Sequence, residues 1–311
     1  MGTMQEDRAP QPAPTVEYCY RHPTVATGVH CTRCGRPICP DCMIPAPVGF
    51  QCPECVAEAR REFRKGPGNP LRRRSLTATK VLLVAILAGF ILEIATGGPN
   101  ALLEGPNELT LVHLGALQPF LIASGQFWRL FTAMFLHAGL LHIGFNGYAL
   151  WLFGTMIERD FGTGKFITIY FVTGFLASVA SYAFGPVEAI GVGASGAIFG
   201  VFGAFIAYNY RRRHSPLAYA NLRWAMTLIL LNAVLAFSFG TIDWRAHVGG
   251  LVAGIAAGVV AEGFGPRSQR RFVAIAGFAA LISLGIAILV WRTNQIQAMP
   301  LFDRAVAFFG Q

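Results

Sequence analysis

The sequence is poor in charge. Only 13% of its 311 residues are charged, whereas 54% are hydrophobic. A typical soluble domain has about 25% charged residues. The polar part of the chain ends near Lys80, and long apolar blocks rich in Gly and Phe follow it. This distribution excludes a soluble enzyme of two or three domains and indicates a membrane protein.

The first residues also lack the pattern of a secretory signal, in which a basic stretch precedes an apolar one. We therefore expect the first membrane-inserting element near Val81. The composition divides the chain into five parts: a disordered tail at 1–18, a cysteine-rich module at 19–60, a basic linker at 61–79, a membrane core at 80–265, and a last membrane helix with a tail at 266–311.

Long apolar segments set the fold class. A bilayer core of about 30 Å takes about 20 mostly apolar helical residues. Seven segments qualify, the fourth of them short: 80–97, 141–157, 164–184, 195–210, 222–240, 246–263 and 272–291. The stretch 98–140 is too interrupted to span and is interpreted as an interfacial loop. The sequence thus predicts an all-α polytopic membrane protein.

Basic residues predict its orientation, because Lys and Arg concentrate in cytoplasmic loops. With the amino terminus inside, seventeen flank the cytoplasmic side: Arg60, Arg61, Arg64, Lys65, Arg72, Arg73, Arg74, Lys80, Arg159, Lys165, Arg211, Arg212, Arg213, Arg223, Arg267, Arg270 and Arg271. Four lie opposite: Arg129, Arg245, Arg292 and Arg304. We expect a multi-pass plasma-membrane protein with a cytoplasmic amino terminus.

A serine and a histidine open two of these segments. The motif Gly193-Ala194-Ser195-Gly196 begins the fourth, and His247 begins the sixth. A Ser flanked by Gly is usually a packing feature of membrane helices, but an ionisable group at membrane depth is rare and functional by default. Both helices run from outside to inside, so Ser195 and His247 lie at similar depth. The alternative is that His247 only forms an interhelical hydrogen bond.

Glycine stripes allow the two helices to approach closely. The sixth carries Gly250, Gly254 and Gly258, and the fourth carries Gly196, Gly200 and Gly203. An imidazole could then reach the hydroxyl, which needs a base to become a nucleophile. The one nearby acid, Asp243, lies towards the loop, so we expect a dyad.

A third pair of side chains could serve acyl transfer. His142 and Asn146 lie four residues apart at the start of the second segment and share a helix face. With the Ser195 N–H they supply donors of the type that stabilises a developing oxyanion. Alternatively, a buried His–Asn pair only ties helices together.

Together these residues resemble the rhomboid family of intramembrane serine proteases over about 80–265. The motifs that carry the resemblance are Trp128-Arg129, His137, His142 with Asn146, Gly154 with Glu158 and Gly162, the Gly193–Gly196 motif, and Ala246-His247 with Gly250 and Gly254. The resemblance implies a six-helix core, Ser195 as nucleophile, His247 as base, and an oxyanion site of His142, Asn146 and the Ser195 amide.

Around the dyad, Phe199, Gly193 and Gly196 are expected to play supporting roles. Phe199 stands where the family often has Tyr and should stack on the His247 ring. The seventh helix is an addition found in some members.

The family resemblance predicts an endopeptidase that cleaves transmembrane proteins near the outer face without a catalytic cofactor. A stable helix hides its carbonyls, so helix-breaking residues there would favour cleavage. The alternative is a non-proteolytic rhomboid-like protein that binds and routes transmembrane clients. A transporter is disfavoured because membrane-centre charges and inverted repeats are not evident.

All seven cysteines lie in the first module. Six form three C-x2-C pairs and Cys19 forms a C-x2-H pair with His22, spacings that are typical of zinc sites. With His22 they make eight ligands, enough for two structural Zn²⁺ ions: Cys19, His22, Cys31, Cys34, Cys39, Cys42, Cys52 and Cys55. His30 is a rival eighth ligand. Disulfides are the alternative, but seven is odd and the predicted cytoplasm is reducing.

The module resembles a B-box-type zinc finger, which implies interleaved ligands. One ion would take Cys19, His22, Cys39 and Cys42, and the other Cys31, Cys34, Cys52 and Cys55. With no ligand position open, the module is expected to be structural and to bind a cytoplasmic protein partner. Nucleic acid is not expected, because the arginines between Arg60 and Arg74 are better explained by membrane topology and anionic lipid.

Overall fold

The computed structural model describes residues 16–65, 77–98, 100–238, 242–263, 266 and 268–310. Most of the predicted disordered tail and of the basic linker, with Arg72, Arg73, Arg74 and Arg267, lies outside these residues, as do the last two residues of the predicted segment 222–240. The chain divides into two compact units, Met1–Ser75 and Leu76–Gln311.

The first unit is small and contains little regular structure. A 3-10 turn at Pro40–Cys42 precedes strands β1 (Ile44–Pro45) and β2 (Phe50–Gln51), and helix α1 (Pro53–Lys65) follows. The strands pair antiparallel, with Ile44 opposite Gln51. Its buried core is Ile38 and six cysteines: Cys19, Cys31, Cys39, Cys42, Cys52 and Cys55. So few apolar side chains are a weak core on their own.

The second unit is helical, and its long helices correspond to the predicted segments. They are α2 (Ala78–Gly97), α7 (Leu140–Ala149) continuing through a π-helical turn (Leu150–Gly154) into α8 (Thr155–Phe161), α9 (Thr163–Phe184), α10 (Ser195–Tyr210), α11 (Pro216–Ser238), α12 (Trp244–Glu262) and α13 (Arg270–Gln297). Within the described residues, six helices are long and apolar enough to cross a membrane. The predicted all-α polytopic fold is confirmed.

Helix α10 corresponds to the short fourth segment. It has 16 residues, eleven of which are buried, and it packs against α9, α11 and α12. A helix enclosed by protein needs less length than one exposed to lipid, because its ends meet other helices rather than the full hydrocarbon thickness.

The stretch between α2 and α7 contains only short elements, in agreement with its prediction as a loop. These are α3 (Ala101–Glu104), α4 (Glu108–Leu114), α5 (Pro119–Ala123), α6 (Arg129–Thr132) and a 3-10 turn (Ala133–Phe135). Buried Arg129 donates to the carbonyls of Val112 (2.6 Å) and Ala116 (3.0 Å). Its guanidinium therefore satisfies carbonyls at the end of α4 and holds the loop together.

Glu158 of α8 binds the beginning of α2. Its carboxylate accepts from the N–H groups of Ala78 (2.8 Å) and Thr79 (2.9 Å) and from the hydroxyls of Thr79 (2.7 Å) and Thr163 (2.9 Å). The first N–H groups of a helix lack intrahelical acceptors, and a negative charge is stabilised there. Glu158 thus joins three helices, and this role explains why a glutamate stands in the Gly154–Gly162 motif.

The carboxyl-terminal helices pack against the loop. The hydroxyls of Tyr182 and Thr293 are 2.9 Å apart, and the Gln297 amide donates to the Ala123 carbonyl at 2.7 Å. Helix α14 (Phe302–Phe309) follows, and its Phe309 ring stacks on Phe120 of α5 with 6.4 Å between centroids. The predicted seventh membrane helix is therefore attached to α9 and α5.

Helices α10 and α12 meet backbone to backbone. A Cβ added at Gly254 would lie 2.0 Å from the Gly200 carbonyl oxygen, and one added at Gly250 would lie 2.1 Å from that of Gly196. Real side chains do not fit at these distances, so the predicted glycine stripes are what allow the contact.

We predict that Gly254→Ala separates α10 from α12 and lowers stability by about 1–3 kcal/mol or more, the usual cost of overpacking. Gly144→Ala is the matched control, because it also lies in a helix and its added Cβ meets nothing within 4 Å. Thermal unfolding in detergent measures both. The contact would be unimportant if the two variants unfolded at the same temperature.

Candidate active site

Ser195 is the first residue of α10. Gly193, two residues earlier, has φ +125°, a conformation that favours glycine, and its N–H donates to the Ala133 carbonyl at 2.9 Å. The turn therefore fixes where α10 begins. The N–H groups of a first helical turn have no intrahelical acceptor. The Ser195 N–H is one of them, so it is available as a donor next to the Ser195 hydroxyl.

His247 lies in the first turn of α12. The Asp243 carboxylate caps this helix, accepting from the N–H groups of Arg245 (3.1 Å) and Ala246 (3.2 Å), and it also accepts from the Ser181 hydroxyl. The acid near His247 is thus engaged with the helix end and with α9. The dyad itself stays a prediction.

The Phe199 ring stacks on the His247 imidazole, with 4.3 Å between centroids and 15° between planes. The predicted contact is confirmed. Phe199 lies one turn after Ser195, and residues four apart share a helix face. The stacking therefore brings the imidazole to the face of α10 that carries Ser195.

His142 and Asn146 converge on Gly193. A Cβ added at Gly193 would lie 2.8 Å from His142 Nε2 and 3.5 Å from Asn146 Nδ2. Asn146 is buried, and its Nδ2 has no hydrogen-bond partner among the described residues. Glycine is therefore needed at 193 for space as well as for conformation, and two side-chain nitrogens adjoin the turn before Ser195.

One hydrogen bond defines the tautomer of His142. Its Nδ1 accepts the Ala138 N–H at 3.2 Å. In a neutral imidazole, one nitrogen accepts and the other carries the proton. The proton is then on Nε2, the atom nearest Gly193.

His137 is fully buried behind this pair. Its ring lies edge-on to that of His142, with 5.2 Å between centroids. Burial, together with the neighbouring His142, lowers the pKa of His137 to about 3. The ring is therefore neutral near pH 7.

The first unit brings its eight predicted ligands into two clusters: Cys19, His22, Cys39 and Cys42, and Cys31, Cys34, Cys52 and Cys55. In each, the ligand atoms lie within 4.8 Å of one another. His22 Nδ1 is 3.1 Å from Cys39 Sγ and 3.5 Å from Cys42 Sγ, near the roughly 3.5–3.8 Å between donors around a tetrahedral zinc ion. The interleaved sets are confirmed as clusters that could hold a metal ion.

Two of these thiols have a lowered pKa, which favours the thiolate form that binds metals. Burial alone would raise the pKa of Cys19, but backbone N–H groups, including that of Cys39, lower it to about 6. The same balance lowers the pKa of Cys31 to about 6. The thiolate is the form that ligates metals. His30, the rival ligand, instead pairs with Glu17 at the surface.

Sequence reasoning overlooked Glu93, which lies within an apolar run of α2. It is fully buried, and its Oε1 accepts the His137 N–H at 2.6 Å. The available signal was a lone carboxyl inside a membrane-length segment, since such residues are rare and functional by default.

The chain is similar to proteins of one family. A sequence model described as the Rhomboid domain matches residues 124–263. Rhomboid protease GluP of Bacillus subtilis is 36% identical over 212 residues, which are 66% of this chain and 39% of that protein. The putative rhomboid protease YdcA of the same organism is 33% identical over 133 residues, or 43% of this chain and 66% of that protein.

A further relative comes from another organism. Rhomboid-like protease 1 of Toxoplasma gondii is 36% identical over 161 residues, covering half of this chain and 54% of that protein. The chain thus spans between about two fifths and two thirds of the length of these three relatives.

Proposed function

Because this chain belongs to the rhomboid family, we propose that it is an intramembrane serine endopeptidase that cleaves transmembrane proteins near the outer face of the plasma membrane. The observation that carries the proposal is the stacking of His247 on Phe199, one turn from Ser195, beside a turn that His142 and Asn146 adjoin. These contacts support a proposed nucleophile, base and pair of donors near the beginnings of three helices.

In the proposed reaction, the Ser195 oxygen attacks the scissile carbonyl carbon and its proton passes to His247. The carbonyl oxygen becomes an oxyanion, which accepts hydrogen bonds from the Ser195 N–H, His142 Nε2 and Asn146 Nδ2. As the intermediate collapses, the C–N bond breaks and His247 gives the proton to the leaving amine. Water then hydrolyses the acyl-enzyme by the same proton transfers in reverse order.

Phe199 orients the base in this scheme. Stacking at 4.3 Å holds the imidazole parallel to the phenyl ring, and phenylalanine adds no hydrogen bond that would compete for its nitrogens. The Asp243 carboxylate is bound to the beginning of α12 and to Ser181, so in this scheme it holds the helix that carries His247.

The substrate is proposed to be a transmembrane segment that unwinds near the outer interface. A helical substrate hides its carbonyls in its own hydrogen bonds, so a segment with helix-breaking residues would present its backbone more readily. The outer location of Ser195 and the cytoplasmic amino terminus rest on the excess of basic residues along one side of the predicted topology.

We expect Ser195→Ala and His247→Ala each to reduce cleavage of a model transmembrane substrate to background, because each removes one member of the dyad. Ser124→Ala and His113→Ala are matched controls at exposed positions of the loop and should cleave normally. Cleavage is measured on reconstituted protein, with fluorophosphonate labelling as a second readout. Normal turnover by folded Ser195→Ala would contradict the dyad, whereas neither cleavage nor labelling by the folded original chain would favour a non-proteolytic client-binding protein.

The oxyanion donors should have smaller effects. Removal of one donor costs about 10²–10³ in rate, so Asn146→Ala and His142→Ala are expected to lower kcat by about that factor and to retain more activity than Ser195→Ala. Fluorophosphonate labelling separates loss of the donors from loss of the nucleophile. Unchanged kcat in the folded single and double variants would remove these residues from the mechanism.

The first unit is proposed to hold two structural Zn²⁺ ions in the cytoplasm and to bind a protein partner there. Three thiolates with one imidazole, and four thiolates, are both donor sets of structural zinc sites, and each cluster is complete with four ligands. The ions would supply folding energy that the small apolar core lacks.

Elemental analysis should find two zinc ions per chain, and His22→Ala should lose or weaken one of them. His30→Ala is the control and should retain both, because His30 pairs with Glu17 outside the clusters. One zinc ion or none in the original chain would refute the assignment. A chain that begins at Arg72 should still cleave substrate; if correctly inserted but inactive, it would show that the module takes part in substrate delivery or control.

A further inference from the structure

Glu93 is a buried carboxyl group in the apolar helix α2. A charged or polar group at this depth is unfavourable unless it is partnered. Its Oε1 accepts the His137 N–H at 2.6 Å, while its Oε2 has no partner within the described residues. The carboxyl group is therefore directed at the chain immediately before α7.

The residues 133–138 link Glu93 to the candidate site. At one end, the Ala133 carbonyl accepts the Gly193 N–H at 2.9 Å, two residues before Ser195. At the other end, the Ala138 N–H donates to His142 Nδ1 at 3.2 Å. Glu93 binds the N–H of His137, which is adjacent to that of Ala138. Two consecutive N–H groups thus connect a carboxyl group on α2 with the imidazole on α7.

Helix α2 also has a glycine where residues 133–138 approach its backbone closely. Gly89 lies one turn before Glu93, and a Cβ added there would be 2.4 Å from the Phe135 carbonyl oxygen. The backbone of residues 133–138 consequently contacts α2 at Gly89 and hydrogen-bonds to it at Glu93.

We propose that Glu93 is a positioning residue for the oxyanion site, acting through the His137 and Ala138 N–H groups on His142. The proposal rests on the proposed function, in which His142 Nε2 donates to the oxyanion. The Ala138 N–H keeps Nδ1 as an acceptor and the proton on Nε2. Without Glu93, this segment can shift, and a displacement of about 1 Å at a catalytic group can cost about 10²-fold in rate.

A purely structural role makes a different prediction. If Glu93 only tied the loop to α2, its loss would lower stability, and any loss of kcat would be the same whether or not His142 is present. A positioning role predicts a loss of kcat that disappears once the imidazole has been removed.

The test uses Glu93→Gln and Glu93→Met, which have side chains of similar length but of which only Gln keeps an oxygen acceptor. We expect Glu93→Gln to keep kcat within about threefold and Glu93→Met to lower it by about 10- to 100-fold with little change in KM, the range of a misplaced oxyanion donor. Leu82→Ala, at a buried position about three turns away on α2, controls for lost stability.

The same substitutions are then made with His142→Ala. The expected result is that Glu93→Met causes no further loss of kcat there. An equal loss in both backgrounds, or an original kcat in Glu93→Met alone, would overturn the proposal. If Glu93→Met does not fold, Glu93→Asp replaces it, because it withdraws the carboxyl group by one methylene; it should show a smaller loss that also vanishes with His142→Ala, and an unchanged kcat would overturn the proposal.

Ser195→Ala separates the two levels of inference. Cleavage that survives Ser195→Ala would contradict the proposed function itself. Serine-dependent cleavage that does not respond to Glu93→Met contradicts only the role of Glu93.

Discussion

The backbone contact between α10 and α12 determines the relative positions of Ser195 and His247. At Gly200 and Gly254 the two helices are too close for any side chain between them. Such a contact leaves little freedom for sliding or rotation, because moving one helix along or around the other at this distance brings backbone atoms into collision. The first turns of both helices therefore keep a fixed separation, which also fixes the distance between the backbones of Ser195 and His247. Phe199 adds the remaining constraint by fixing the plane of the imidazole.

Three charged residues in the helical unit are bound by backbone groups at helix ends. Glu158 accepts from the beginning of α2, Asp243 from the beginning of α12, and Arg129 donates to carbonyls at the end of α4. Each pairing satisfies groups that would otherwise be costly to bury. Structural pairing therefore explains these three charged residues, and no catalytic role is needed for them. They hold the helices that carry the less completely paired side chains.

Much of the fold was predictable because it depends on local sequence. Apolar length located the membrane helices, and glycine spacing located the contact between α10 and α12. The x2 spacing located the eight ligands, and the resemblance to a B-box-type finger implied how they divide into two clusters. The lone carboxyl group of Glu93 was visible in the sequence, but its hydrogen bond was not predictable, because the partner is a backbone N–H 44 residues away. The tautomer of His142 was not predictable either. It depends on the backbone N–H of Ala138, and a backbone N–H is present at every non-proline residue.

The hydrogen bonding of His142 and Asn146 bears on what the site is for. His142 Nδ1 accepts the Ala138 N–H, while the buried Nδ2 of Asn146 has no hydrogen-bond partner within the described residues. An unsatisfied buried donor costs about 1–3 kcal/mol, and a pair that served only to join helices would gain stability by closing that bond. Donors directed at a developing negative charge instead return this cost in the transition state, because they require no reorganisation when the charge appears. Under the proposed function, the Nδ2 of Asn146 beside Ser195 would serve acyl transfer in this way.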